Sequence, residues 1–470
     1  MLRLARSRLS IFREWRIPPV YFLIAVIYVA LRLVAMGGLD PVRWPDTATY
    51  EYQESVGDFL AGLRPWTVAV LYHLVPDDTL RGYAQLTVAL VCWLTLAAVV
   101  AALIRDSGLR IIAFATTLAL SLAPNVLGWD FVLLSESMSL SLAAAFVAAW
   151  LAFISWMRWQ TLVALVAIAV LWIFTRDSNA YVVLTAIVLL AISLAVRGKR
   201  RLRAAALVGM VLVFAASYVS YTAGPSYHTP DGTRLEGRWV PSLLDILGKR
   251  VFKDPDAVAY FESHGMPVNQ RLRSLIEQPD AHHPEFLETP GLTSFRRWIA
   301  SNGRTTYIRY SLEHPGYGIR APARDWRILL FPDVLSYYEL PRGAPLPEVV
   351  RENIYAGGVG TMLFYTVISV TVGGWAAWRG DMRLACIVPV GLLLSTIPHA
   401  LVIWHGSGLE LPRHALSLAV LFRVGILLLL FFSIDALLTG RRRRIRERQH
   451  VRHVAPANAS PPNDRAMPRS

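Results

Sequence analysis

Residues 411–444, LPRHALSLAVLFRVGILLLLFFSIDALLTGRRRR, decide the fold class. Their central run, about 415–438, is almost uninterrupted in apolar character. Roughly 20 such residues cross the ~30 Å of hydrocarbon in a bilayer. Lipid offers no hydrogen-bond partner, so a run this long and non-alternating must be a helix, not a barrel strand. An Arg413-His414 pair opens the run, and Arg441, Arg442, Arg443 and Arg444 close it. Under the positive-inside rule the arginine block marks the cytoplasmic end.

Outward from that helix, similar runs lie near 19–36, 82–104, 110–127, 137–156, 161–175, 180–197, 204–222, 355–377 and 384–403. The connections alternate in charge. Arg3, Arg6, Arg8, Arg13 and Arg16 precede the first run. Arg105 and Arg110, then Arg158, then Arg197, Lys199, Arg200, Arg201 and Arg203, then Arg379 and Arg383 flank later loops. With ten spans counted, all of these fall on the cytoplasmic side. The expectation is an all-α polytopic membrane protein of the cell membrane, with about ten transmembrane helices. Residues 1–17 form a cytoplasmic segment, and 18–222 a transmembrane module whose first outer loop is 37–81. Residues 223–353 form a small, mostly helical extracytoplasmic domain, 354–440 the last helices, and 441–470 a basic, disordered cytoplasmic tail.

Composition agrees. The 470 residues are 54% hydrophobic and 17% charged, with mean hydropathy +0.42. The net charge of +14 could suggest nucleic acid, but the basic residues cluster beside apolar runs, where they set topology and meet anionic lipid. No nucleic-acid partner is expected. Cys92 and Cys386 both sit in apolar runs, so no disulfide framework or metal-thiolate site is readable. The first apolar run is too long for a cleavable leader, and no small-residue cleavage site clearly follows it. Neither a metal nor a cofactor is expected.

Polar residues gather where spans meet the outer boundary. The first outer loop reads Trp44-Pro45-Asp46-Thr47-Ala48-Thr49-Tyr50-Glu51 and continues through Arg64-Pro65-Trp66 and Tyr72-His73, predicting two short interfacial helices. Asp46 lies close to the membrane surface, where a carboxylate can take the proton of an attacking hydroxyl; it can equally cap the following helix. Ser135-Glu136-Ser137 opens the fourth span, Thr175-Arg176-Asp177 ends the fifth, and Glu410-Leu411-Pro412-Arg413-His414 opens the last. Tyr307-Ile308-Arg309-Tyr310 and Glu313-His314-Pro315 stand in the outer domain.

This arrangement resembles the GT-C superfamily of membrane glycosyltransferases, which take sugars from polyprenyl-phosphate carriers. Those enzymes carry an acidic residue in the first outer loop, two helices lying on the membrane there, an enlarged outer loop after the seventh span and an Arg-His pair entering a late span. The likeness covers most of the spanning region and is topological; a lone Asp46 stands where the family has a paired acidic motif. It implies Asp46 as general base in an inverting transfer to an envelope glycan, lipid or protein acceptor. It further implies Arg413, His414 and Arg176 at the donor phosphate, where a planar guanidinium can bond two oxygens at once. Glu136, His73, Arg309 and His314 would touch substrate. Each has a plainer alternative: interfacial anchoring for Arg413 and Arg176, capping or a salt bridge for Glu136, and packing for His73, Arg309 and His314.

Arg423 differs. It stands about ten residues into the last span, where an unpaired charge costs several kcal/mol, so it needs a buried carbonyl, acid or cavity. Three rival functions remain. A lipid or oligosaccharide flippase would place more charge at mid-membrane. An enzyme polymerising or ligating lipid-linked oligosaccharides would use an arginine-led outer loop and more spans, and a non-catalytic envelope-assembly protein would keep the fold without the base. A transferase requires Asp46, Glu136 and Arg413 to converge.

Overall fold

The structure is a computed structural model describing residues 18–53, 55–195, 198–278, 281–332, 345–380 and 384–454, with side chains described to Arg441. Ten apolar helices run in chain order: α1 (Pro19–Met36), α2 (Asp78–Leu103), α3 (Ser107–Ser121), α4 (Ser135–Trp156), α5 (Trp159–Ile173), α6 (Ala180–Ser193), α7 (Arg200–Thr222), α8 (Val359–Trp378), α9 (Ile387–Gly406) and α10 (Leu411–Val454). Among the described residues, seven are long and apolar enough to cross a membrane: α1, α2, α4, α7, α8, α9 with its preceding turn, and α10. The other three fall where further crossings were expected, but are shorter. At 1.5 Å per residue, 14 or 15 residues rise only ~21–23 Å. That is less than the ~30 Å of hydrocarbon, so these helices stop short. The arginines expected to hold the N-terminus inside, with Arg197 and Arg383, lie outside the described residues.

The bundle is built around α4, whose apolar window is entirely buried. Apolar on every face, this helix has no solvent stripe, as a central helix requires. Its Ser137, Ser139, Ser141, Ala143, Ala144, Ala145, Ala148 and Ala149 are small enough to let neighbouring backbones approach. Beside α4 runs α10, the next most buried; Ser139 Oγ and Ser417 Oγ meet at 3.3 Å. From Arg413 to Asp435, α10 rises ~33 Å. At the far end Asp435 Oδ1 accepts from the Arg105 and Asp106 amides, at 3.0 and 2.9 Å, fixing the turn between α2 and α3.

The 37–77 loop holds a 3-10 turn (Pro45–Thr47) and helices at Ala48–Glu51, Val56–Ala61 and Trp66–Leu74, one more than the two expected. It is stitched to the bundle at both ends. Val42 forms a parallel bridge with Val132: Val42 N donates to Phe131 O (2.8 Å) and Leu133 N to Val42 O (2.9 Å). Thr47 Oγ1 adds a bond to Leu133 O at 2.8 Å. At the other end Thr67 donates through its amide to Phe174 O (3.1 Å) and through Oγ1 to Leu171 O (2.8 Å). Those are carbonyls that the end of α5 leaves without helical partners.

Residues 223–332 form a second small core, in which Phe252, Phe261, Phe286, Phe295 and Trp298 pack together. Apart from a hairpin of β1 (Ser226–His228) and β2 (Arg234–Glu236), this inserted domain is helical. It grips the α9–α10 hairpin. The Arg250 guanidinium lies 4.1 Å over the Trp404 ring, Trp404 Nε1 donates to Asp325 Oδ2 (2.7 Å), and Tyr307 OH lies 2.7 Å from His405 Nδ1. A Cβ on Gly408 would lie 2.5 Å from the Asp245 carbonyl carbon, so only glycine allows this approach.

One expectation is narrowed here and one changes. Arg423 finds carbonyls: Leu330 O at 2.8 Å, Ala419 O at 2.9 Å, Tyr355 O at 2.5 Å and Ala356 O at 3.2 Å. The last turn of the Glu348–Tyr355 helix thereby meets a cation, as helix C-termini favour. And the tail expected to be disordered from 441 continues as helix to Val454; arginine, glutamate and glutamine are good helix formers. Residues 455–470 lie outside the described ones.

Candidate functional site

Five of the eight expected site residues meet, and α10 brings them together. Arg413, in its first turn, directs Nη2 to Asp46 Oδ2 (2.7 Å), Nε towards Glu136 Oε1 (3.2 Å) and Nη1 to Glu410 Oε2 (3.0 Å). One guanidinium thus faces three carboxylates. Glu136, in the first turn of α4, also bonds Arg176 Nη1 at 3.0 Å; a carboxylate is favoured at a helix N-terminus. Arg176 Nη2 in turn meets His414 Nδ1 at 2.5 Å. Glu136 is 2% exposed, and its second oxygen has no hydrogen-bond partner among the described residues.

Asp46 does not cap a helix. Its Oδ1 pairs with Arg64 Nη2 and its Oδ2 with Arg413 Nη2, both at 2.7 Å. Thr47 bonds the Trp44 amide at 2.9 Å in its place. Burial pushes the Asp46 carboxyl up, but the guanidiniums of Arg64, Arg413 and Arg176 outweigh it and hold the group below the usual carboxylate range. The side chain is 31% exposed, open enough to be reached.

Beside this cluster lies a cavity of about 230 Å3. Arg64, Arg176, Arg238 and Arg413 line it, against a single lining carboxylate, Asp177. Its other wall is aromatic and apolar: Tyr181, Phe214, Tyr218 and Tyr221 from α6 and α7, with Val402 and Ile403 from α9. The α5–α6 connection that carries Thr175, Arg176 and Asp177 into the cavity begins where the short α5 ends. Shortness of that helix is what sinks the charged groups among the spans.

Arg64 and Arg238 escaped sequence reasoning as site residues. Arg238 enters from the inserted domain and bonds Asp177 through Nε and Nη2, at 3.0 and 2.9 Å. It also reaches Gly62 O (3.3 Å) and Ser220 Oγ (3.2 Å), tying the first loop to α7. The proline after Arg64 was visible, but nothing in sequence marks a pair 18 positions from Asp46.

Three expected residues stand elsewhere. His73 is exposed and packs edge-on against Phe59, with ring centroids 5.9 Å apart. Arg309 is exposed and bonds Glu313 Oε1 at 2.7 Å, an i,i+4 helix pair. His314 leans on Tyr310 and Tyr260 at 4.4 and 5.0 Å, in the inserted domain. None of the three touches the Asp46 cluster, because each is committed to neighbours on its own element or core. The described residues hold no group of three His, Cys, Asp or Glu that could bind a metal ion. Compared with protein-family models and with curated proteins, the chain matches none.

Proposed function

We propose that the chain is a glycosyltransferase of GT-C-like design, embedded in the cell membrane by its apolar helices, with the inserted domain on the extracytoplasmic side. The observation that carries the reading is the meeting of Asp46, Glu136, Arg176, Arg413 and His414, from four separate chain segments, beside one arginine-lined cavity. A cavity with a cationic wall and an apolar wall suits an amphiphile whose head is anionic. A polyprenyl-phosphate sugar has that chemistry.

In the proposed step an acceptor hydroxyl attacks the anomeric carbon from the face opposite the phosphate. The carbon–oxygen bond to the phosphate breaks, its electron pair leaves on the lipid phosphate, and the hydroxyl proton passes to Asp46. Arg413, with Arg176 behind it, stabilises the charge that grows on the leaving phosphate. A carboxylate held low by two guanidiniums is a weak base. That suffices when glycosidic cleavage runs ahead of proton transfer through an oxocarbenium-like state.

The test is transfer in vitro from a panel of radiolabelled polyprenyl-phosphate sugars, run beside Asp46→Asn. Transfer by the native chain that is lost in the variant is the expected result. Failure of every donor in the panel, or full activity in Asp46→Asn, overturns it.

A further inference from the structure

Three carboxylates surround Arg413: Glu410 and Asp46 hold Nη1 and Nη2, while Nε, buried without a hydrogen-bond partner among the described residues, faces Glu136 Oε1 at 3.2 Å, so a phosphate approaching either Nη competes with a carboxylate. The three are not equivalent. Glu136 is enclosed at the base of α4, 2% exposed, and shares its Oε1 with Arg176. Asp46 is locked between two arginines at 2.7 Å. Among the described residues Glu410 pairs with Arg413 alone, at 3.0 Å, and its side chain is 35% exposed.

Its backbone sets it apart as well. Glu410 has φ +51°, one of four non-glycine residues with positive φ among those described. An L side chain adopts the left-handed region at a cost, and such strain persists where the surroundings impose it, often at working sites. Here the surroundings are the 406–410 turn, pressed on Asp245 through Gly408, and the start of α10. The strained conformation delivers the carboxylate to Arg413.

Resting on the phosphate-binding role proposed above for Arg413, we infer that Glu410 is a displaceable latch, occupying in the empty site the place on Arg413 that the donor's phosphate takes. Binding would then exchange one anion for another on the same guanidinium and release the 410 turn from its strained geometry. Glu410 is a positioning residue: it acts through Arg413. The charged groups facing it are Arg413 on its own helix, Asp46 from the first loop, Glu136 from α4 and Arg176 from the α5–α6 connection. Burial, with Asp46 and Glu136 close by, pushes its carboxyl above the ordinary range against the pull of Arg413. It is therefore more readily neutralised than Asp46, whose carboxyl is held low.

The experiment measures binding of undecaprenyl phosphate to the full chain in nanodiscs, for native protein, Glu410→Gln and Arg413→Ala. Glu410→Gln should bind roughly tenfold tighter, the order expected when one competing like charge is removed. In the transfer assay its KM for donor should fall while kcat does not rise. The gap between native protein and Glu410→Gln should close as pH falls and the native carboxyl takes up its proton. If Arg413→Ala binds less well but Glu410→Gln binds no tighter than native protein, the latch is wrong and the phosphate role of Arg413 survives. If Arg413→Ala binds as well as native protein, the phosphate role itself fails. Should Glu410→Gln fold poorly, Glu410→Asn repeats the test, since asparagine tolerates the left-handed backbone.

Discussion

Arg413 and Arg423 stand ten residues apart on one helix, both nearly buried, and their partners could hardly differ more. Arg423 is surrounded by main-chain carbonyls from residues 330, 355, 356 and 419, none of which can leave. Arg413 is surrounded by three side-chain carboxylates, two of them partly exposed, beside a cavity. A third arginine supports the contrast. Arg32, fully buried, holds Asp130 at 2.8 Å, with Tyr28 OH and Ser121 Oγ beside it. A cation fixed to backbone or to a sealed pair organises the bundle; one held by mobile acids at an opening can exchange them for a ligand.

The contrast breaks first at Asp46. Asp46→Asn should lower transfer by about 10^3-fold or more, with expression and topology unchanged, since a positioned base contributes roughly 10^2–10^4. Rates from a radiolabelled donor decide it, and a variant within a few-fold of native activity would return Asp46 to an anchoring role. Next comes Arg423→Met, which strands carbonyls now bonded to a buried cation. It should destabilise the chain by about 3 kcal/mol, seen in thermal unfolding in detergent, while the protein that stays folded keeps its KM for donor. Arg413→Ala should reverse that pattern: a loss of about 100-fold in kcat/KM for the lipid-phosphate donor, little change in acceptor KM and a smaller change in melting temperature. If the two arginine variants gave the same signature, the distinction drawn between them would be empty.

A finer test uses pH. The carboxyl of Asp46 is held below its ordinary value, so it stays ionised as a base to lower pH than a free aspartate would. The sign for stability is the same: the contribution is present above the unfolded value and is lost as pH falls through the folded one. Arg64→Met removes one of the two guanidiniums holding it there. The acid limb of the pH–rate profile should then move to higher pH, with the neutral-pH rate falling less than in Arg413→Ala. An unmoved limb would mean that Asp46 does not govern it.

Much of this was legible in sequence, for stated reasons. Apolar runs and arginine-flanked loops are local signals, and the ten helices fall close to where those signals put them. Seven meet the length for a crossing; α3, α5 and α6 do not, because helix ends in a bundle are set by neighbours as well as by apolar content. Thr67 stops α5 at its last carbonyls, which no periodicity foretells. Glu136, Arg176, Arg413 and His414 were visible as polar residues at span ends, and Asp46 as an acid in the first outer loop. What brings them together was not: the Val42–Val132 bridge joins residues 90 positions apart through backbone atoms alone. Arg238 was hidden for the same reason, lying in a domain whose packing against Asp177 has no counterpart in spacing.

The smallest effect belongs to the Arg309 region, and it sharpens the comparison from the other side. Arg309 was expected at the substrate through the family resemblance, with a structural role in the outer domain as its plainer alternative. Its side chain is 60% exposed and its one described ion pair is with Glu313, a turn away. A solvent-exposed i,i+4 pair contributes little to stability. Arg309→Ala should therefore leave the melting temperature almost unchanged and the kcat/KM for donor within about twofold of native. A larger loss of activity would mean that the inserted domain touches substrate through an exposed arginine, and burial and partner type would cease to separate the working arginines of this protein from the rest.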